Sequence, residues 1–283
     1  MEPNGKILKN IIFSGGGFKG WAYIGSIRAL NERVDFKDIK KVIAVSCGSI
    51  FSIFYILQID YRYILDFFLN QNLKKFMDVN IDSLLTNQSI LEGKLLKSML
   101  KELIGSKINP DCNFMELYNQ TKINYTILSF NLTDIDIEYF NKTNTPEVKV
   151  VDAIMASCAV PLLFPGYIIN EKVYYDVGFC NNCPCNLIDP KELRKNTIAF
   201  DLASYRVREK YNILTIFNCM TDMLNKHYNK INKKNVFDII DTRYKNEFMN
   251  LKQSKDTIFN IYMNGYKNTL KVLTTFFEKR TQT

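Results

Sequence analysis

Two turns and one aspartate hold the residue types best suited to chemistry in this sequence. The first turn, Ser14-Gly15-Gly16-Gly17-Phe18-Lys19-Gly20, follows the apolar run Ile11-Ile12-Phe13. Glycines between a strand and a helix let backbone N–H groups converge at a helix N-terminus, where a negative oxygen is favoured. That oxygen can belong to a pyrophosphate or to the transient oxyanion of an acyl transfer. Gly15, Gly17 and Gly20 have the G-x-G-x-x-G spacing, and Asp35 follows about 20 residues after the first glycine, as in a dinucleotide fingerprint. On this turn alone, both ligands stay open.

The second turn is Ala44-Val45-Ser46-Cys47-Gly48, between the apolar run Val42-Ile43-Ala44-Val45 and an apolar helix. A serine on a sharp strand-to-helix turn, with small residues two positions to either side, is a nucleophile elbow, usually written G-x-S-x-G. Ala44 and Gly48 are those small neighbours. Serine is also a preferred N-cap, so a purely structural role is the other reading. A catalytic serine needs a base. The sole histidine, His227, lies among Asn225, Lys226, Asn229 and Lys230 and reads as a polar surface residue. The base is then expected to be a carboxylate. The candidate is Asp176, which closes Val173-Tyr174-Tyr175 and precedes Val177-Gly178. Simple turn formation is the alternative for an aspartate there.

The elements that position these residues alternate between β and α, which predicts a three-layer α/β/α fold with a mostly parallel central sheet. Strands are expected over 7–14, 41–45, 124–131, 136–141 and 197–201. A hairpin is expected over 166–170 and 172–176, with Asn170-Glu171 at its tip. Helices are expected over 20–32, 48–57 and 150–158. Residues 61–105 read as amphipathic helix interrupted around 80–89. From 211 onward the pattern is mainly helical, with a strand at 257–263.

Composition narrows the classes. The chain has 283 residues, 47% apolar and 23% charged, which excludes a mostly disordered protein. Its apolar runs are shorter than the roughly 20 residues of a bilayer span. The N-terminal residues lack a signal-peptide pattern and position 2 is not glycine, so an intracellular, cytoplasmic protein is expected. Seven cysteines make a poor disulfide framework, and the cluster Cys180, Cys183, Cys185 lacks an evident fourth zinc ligand. Reduced thiols are expected. Residues 206–283 hold 15 Lys+Arg and 7 Asp+Glu, a net of +8, which is the whole formal charge of the chain. A basic face of this kind is attracted to anionic surfaces, or simply keeps a helix solvated.

Taken together, the segments resemble the patatin-like phospholipases. The family pattern G-G-G-x-[RK]-G is matched by Gly15-Gly16-Gly17-Phe18-Lys19-Gly20, and its elbow by Ala44-Val45-Ser46-Cys47-Gly48. A third block, A-S-x-A-x-P-x-x-F-P, is matched from Ala156-Ser157 to Phe164-Pro165. The segment D-G-[GA] appears as Asp176-Val177-Gly178, and the family's N-x-P as Asn182-Cys183-Pro184. The resemblance implies one patatin-like domain over 1–283, with a motif-bearing core over 7–201 and a basic, mainly helical part over 206–283. It implies lipid acyl hydrolysis by a Ser46–Asp176 dyad, on glycerophospholipids or related esters, with no metal or organic cofactor. Gly16 and Gly17 would hold the oxyanion, and Gly15, Lys19 and Gly20 would shape the loop. Apolar residues over 51–57 and 162–164 are candidates for an acyl groove, with ordinary core the expectation for most of them. Peripheral membrane contact through the basic C-terminal part is expected, and no nucleic-acid partner. The sequence departs from the family at Ala44 and Val177, which add bulk near the dyad, so a catalytically weak lipid-binding relative is an alternative. A dinucleotide-binding oxidoreductase is another, but it leaves Ser46 and Asp176 unexplained.

Overall fold

The run Ile11-Ile12-Phe13 has no polar residue to offer solvent, and it forms a strand buried on both faces, as parallel strands in α/β proteins are. The structure is a computed structural model, and it describes residues 7–70, 89–202, 236–239 and 253–278. Its architecture is α/β, a mixed sheet of mostly parallel strands flanked by helices. The chain divides into two compact units, Met1–Val42 with Gly178–Thr283, and Ile43–Val177. The first boundary falls inside a single strand.

In the first unit, β1 (Asn10–Phe13) pairs in parallel with β7 (Thr197–Asp201), with Ile11 opposite Ile198 and Phe13 opposite Phe200. β7 pairs in parallel with β8 (Val236–Asp238). The helix α1 (Trp21–Arg33) packs on α9 (Lys255–Glu278). Their backbones touch where both helices carry glycine. A Cβ on Gly265 would lie 2.1 Å from the Ala22 carbonyl oxygen, and one on Gly25 would lie 2.1 Å from that of Tyr262. Ser26 and Thr269 share a buried hydrogen bond of 2.8 Å at the same crossing. The short helices α7 (Gly178–Asn181) and α8 (Pro190–Lys195) precede β7. Asp189 caps α8 by accepting from the N–H of Lys191 and Glu192.

The second unit begins within β2 (Lys41–Val45) and continues through α2 (Cys47–Ile56), α3 (Tyr61–Asn70) and α4 (Lys94–Gly105). A capping box between Asn113 and Glu116 starts α5 (Phe114–Thr121). β3 (Asn124–Asn131) pairs antiparallel with β4 (Asp136–Phe140) and with β6 (Lys172–Tyr175), and α6 (Val150–Ser157) packs on β3. β6 pairs antiparallel with β5 (Tyr167–Ile169) across a two-residue tip. Asn170 and Glu171 both have positive φ there, 48° and 65°, as the right-handed twist of a tight hairpin demands.

One expected element is corrected. Residues 257–263 are helical, inside α9, and do not form a strand. Their β-branched and aromatic content suits a strand. The buried positions Ile258, Ile261, Tyr262, Gly265 and Thr269 nevertheless recur at helical spacing, and packing on α1 decides. The helices α5, α7 and α8 have no counterpart in the sequence pattern, and neither has the strand β8, which lies in the stretch from 211 onward expected to be mainly helical. Residues 211–235, with His227, Lys230, Lys233 and Lys234, lie outside the described residues. Lys267 and Lys271 are exposed one turn apart on α9.

Candidate active site

Ser46 leaves β2 with φ 52° and ψ −133°, and α2 starts at the next residue. A side chain at positive φ is strained, and such residues gather at active sites. The strain is the local cost of turning from strand to helix in one residue, which is what an elbow does. Ala44 lies within β2 in extended backbone, where any L-residue fits, so its methyl does not prevent the turn. Gly48 sits in the first turn of α2.

Hydrogen bonds on both sides hold the elbow. The Ser46 N–H donates to Ser157 Oγ at 2.8 Å, and that hydroxyl donates to the Leu128 carbonyl in β3 at 2.6 Å. The Ser46 carbonyl accepts from the Ser49 N–H at 2.8 Å and from Ser49 Oγ at 2.6 Å. Behind these, the Tyr125 hydroxyl donates to the Ser49 carbonyl at 2.8 Å and lies 2.9 Å from Ser52 Oγ.

Asp176 follows β6. Its N–H donates to the Ala159 carbonyl at 2.9 Å. Ser129 Oγ lies 2.7 Å from the carbonyl oxygen of Tyr175 and 3.0 Å from that of Ala156, so one proton is shared between them. The amides of Ser46 and Asp176 are thus fastened to residues 157 and 159, at the C-terminal end of α6. The side chains are both nearly enclosed, Ser46 being 5% and Asp176 4% exposed. Cys158 lies between these two anchors. Burial pushes its thiol well above the usual range, and the charges of Asp176 and Cys47 add to that, which makes it an unreactive neighbour.

The glycine turn belongs to the first unit. Gly15 and Asn182 hold each other: the Gly15 N–H donates to the Asn182 carbonyl at 3.3 Å, and Asn182 Nδ2 donates to the Gly15 carbonyl at 3.1 Å. Gly16 passes so close to Leu202 that a Cβ would lie 2.4 Å from its side chain. Gly17, at φ 55°, opens a short 3-10 turn through Gly20 that runs into α1. The leading N–H groups of such a start have no acceptor within their own helix. Lys19 is buried, and its Nζ donates to the Leu202 carbonyl at 2.7 Å, tying the turn to the end of β7. Gly178 starts α7. Asp35 spends its carboxylate on the Lys37 N–H, capping a turn at Phe36–Asp38, which is not the ribose-reading role of a dinucleotide site.

Sequence reasoning did not single out Ser157, Ser129, Ser49 or Asn182 as supports, although Ser157 and Asn182 fall in the quoted blocks. Among the described residues, no group of three or more His, Cys, Asp or Glu is arranged to hold a metal ion. Cys183 and Cys185 face each other at 3.9 Å as free thiols. No helix among the described residues is long and apolar enough to cross a membrane.

The sequence model of the patatin-like phospholipases matches residues 11–189, a stretch that takes in the glycine turn, the Ser46 elbow and Asp176. This chain belongs to the patatin-like phospholipase family. It is a lipid acyl hydrolase, which overturns the oxidoreductase alternative. This patatin-like phospholipase is 24% identical over 197 residues to the probable lipid hydrolase 463L of Invertebrate iridescent virus 6, a match covering 68% of this chain and 67% of the viral one. It is 25% identical over 280 residues to triacylglycerol lipase 4 of Saccharomyces cerevisiae, covering 93% of this chain but 29% of the yeast protein. Among solved structures, VipD from Legionella pneumophila shares the fold at TM-score 0.60 and 18% identity, over 96% of this chain and 68% of VipD. The type III effector ExoU of Pseudomonas aeruginosa shares it at 0.54 and 15%, over 98% of this chain and 54% of ExoU.

Proposed function

We propose that this patatin-like phospholipase hydrolyses acyl esters of glycerophospholipids or related lipids through an acyl-enzyme on Ser46, with Asp176 as base. The observation that carries the reading is the strained elbow at Ser46, anchored with Asp176 to the same end of α6. The Asp176 carboxylate takes the proton from Ser46 Oγ as that oxygen attacks the ester carbonyl. The tetrahedral oxyanion is held by backbone N–H groups of Gly16 and Gly17, in a loop shaped by Gly15, Lys19 and Gly20. Collapse expels the alcohol with the proton that Asp176 carries. Water, deprotonated by Asp176, then attacks the acyl-enzyme, and collapse returns that proton to Ser46 Oγ as the fatty acid leaves. Neither step calls on a histidine, a metal or an organic cofactor.

The chain acts as one patatin-like domain, and it meets its substrate at a lipid surface. The basic residues beyond 206 favour an anionic one, with Lys267 and Lys271 already exposed on α9. The names of the viral lipid hydrolase and the yeast triacylglycerol lipase support a lipid ester as substrate. A fluorophosphonate probe tests the assignment. It forms a covalent adduct on Ser46 in the native protein and none in Ser46→Ala. A labelled Ser46→Ala places the nucleophile on another residue, and an unlabelled native protein refutes Ser46 as nucleophile and leaves a lipid-binding, catalytically silent relative.

A further inference from the structure

We infer that Ser157 and Ser129 are positioning residues for the Ser46–Asp176 dyad, Ser157 by holding the Ser46 amide and Ser129 by holding the Tyr175 carbonyl next to Asp176. The inference rests on the hydrolase reading above and adds the two hydroxyls that keep both reacting side chains in place.

Neither anchor is ordinary secondary structure. The acceptor for the Ser46 N–H is a side-chain oxygen at 2.8 Å, and the same hydroxyl passes its proton to the Leu128 carbonyl at 2.6 Å. One hydroxyl therefore bridges the elbow and β3, accepting on one side and donating on the other. The next residue of β3, Ser129, sends its hydroxyl to Tyr175 and Ala156. Leu128 and Ser129 are consecutive, so two neighbouring positions of one strand serve the two halves of the dyad. Asp176 is fixed again by its amide on Ala159, two residues after Ser157. Both serines are fully buried, where a hydroxyl is costly unless its bonds are made. Each hydroxyl is accounted for by the polar groups it meets at 129 and 157.

The consequence is geometric. At φ 52° the Ser46 backbone rests in a strained well that its surroundings must impose. Removing Ser157 Oγ leaves a buried N–H without its acceptor and releases one of the restraints that impose it. Relaxation of φ swings Cβ and Oγ of Ser46 away from the line of attack. A displacement of 1 Å can cost about 10²-fold in rate without touching the chemistry itself. Ser129 acts on the other partner. Carbonyls tolerate a lost donor better than amides tolerate a lost acceptor, so its removal is the milder change.

The test compares Ser157→Ala, Ser157→Cys and Ser129→Ala with the native protein on a short-chain nitrophenyl ester. A fluorophosphonate titration counts working sites, and a thermal melt checks the fold. A merely structural role lowers the number of titratable sites and leaves the rate at each one alone. For positioning, kcat per titrated site in Ser157→Ala falls by about 10–10²-fold while KM stays within about threefold. Ser157→Cys fills the site with a somewhat larger atom that hydrogen-bonds more weakly, and it falls between. Ser129→Ala loses on the order of tenfold, the worth of one hydrogen bond. If Ser157→Ala does not fold, Ser157→Cys decides by the same measure. A per-site kcat within about twofold of native in the deciding Ser157 variant, or a loss confined to KM, overturns the inference. A native protein that the probe does not label overturns the nucleophile assignment and the positioning role with it. A labelled native protein with unchanged variants overturns the positioning role alone.

Discussion

Replacing Ser46 by glycine and, separately, by alanine distinguishes the strain of the elbow from its chemistry. Both substitutions remove Oγ, so both abolish ester hydrolysis. They differ by one carbon. At φ 52° and ψ −133° the Cβ of serine or alanine clashes with the backbone, and glycine has none. A residue held in such a region costs about 1–3 kcal/mol. Glycine returns about 0.5–1 kcal/mol of that through the greater freedom of its unfolded chain. The difference leaves Ser46→Gly more stable than Ser46→Ala by roughly 1 kcal/mol, which for a chain of 283 residues raises the midpoint of unfolding by about 2 °C. Thermal melts of the two inactive variants, followed by circular dichroism in the same buffer, measure it. A glycine variant that melts at or below the alanine variant refutes the claim that the elbow stores strain. Hydrolysis by either variant at the native rate refutes the nucleophile.

Asp176→Asn keeps the shape of the side chain but cannot accept a proton, and kcat falls by about 10²–10⁴-fold. Ester hydrolysis at the native rate by that variant removes Asp176 from the mechanism. His227→Ala leaves the rate within about twofold, since a dyad has no use for a histidine; a large loss would revive a triad. Gly265→Ala forces a methyl against the Ala22 carbonyl at 2.1 Å, and overpacking of that kind costs about 1–3 kcal/mol, a fall of several degrees in the melt. An unchanged midpoint would mean that α1 and α9 do not meet through their glycines. The native protein co-sediments with anionic vesicles at low salt, and less at high salt, because the Debye length shrinks from about 30 Å at 0.01 M to about 3 Å at 1 M. Lys267→Glu with Lys271→Glu weakens that binding, each lysine near the surface contributing about 1 kcal/mol. Equal binding to neutral and anionic vesicles discards electrostatic docking.

Local signals carried much of this protein into view from its sequence. The elbow was legible because its requirements lie within five residues: an apolar strand, a serine, and small residues at 44 and 48. The hairpin tip was legible for the same reason, since Asn170 and Glu171 sit between two short apolar runs and a two-residue loop asks both for positive φ. The glycine turn showed its shape but not its ligand, and only with the elbow and Asp176 did the four blocks point to a family.

Tertiary structure decided what those signals left unsaid. The sequence over 257–263 carries strand-like residues, and its helix exists because Gly25 and Gly265 let α9 lie backbone to backbone on α1. Asp35 has the spacing of a ribose ligand, yet its carboxylate serves the turn two residues away. The sharpest case is the bond from the Ser46 amide to Ser157 Oγ, which spans 111 residues. Serine is common, and nothing local marks which hydroxyl will meet which amide. Spacing along the chain can nominate Ser46 and Asp176, because the turns that carry them are made by their immediate neighbours. What fixes them to one end of α6 is the Ser157 hydroxyl under Ser46 and the Ala159 carbonyl under Asp176, with Ser129 of β3 holding the neighbouring Tyr175 carbonyl, and those contacts exist only once the strands and helices have packed.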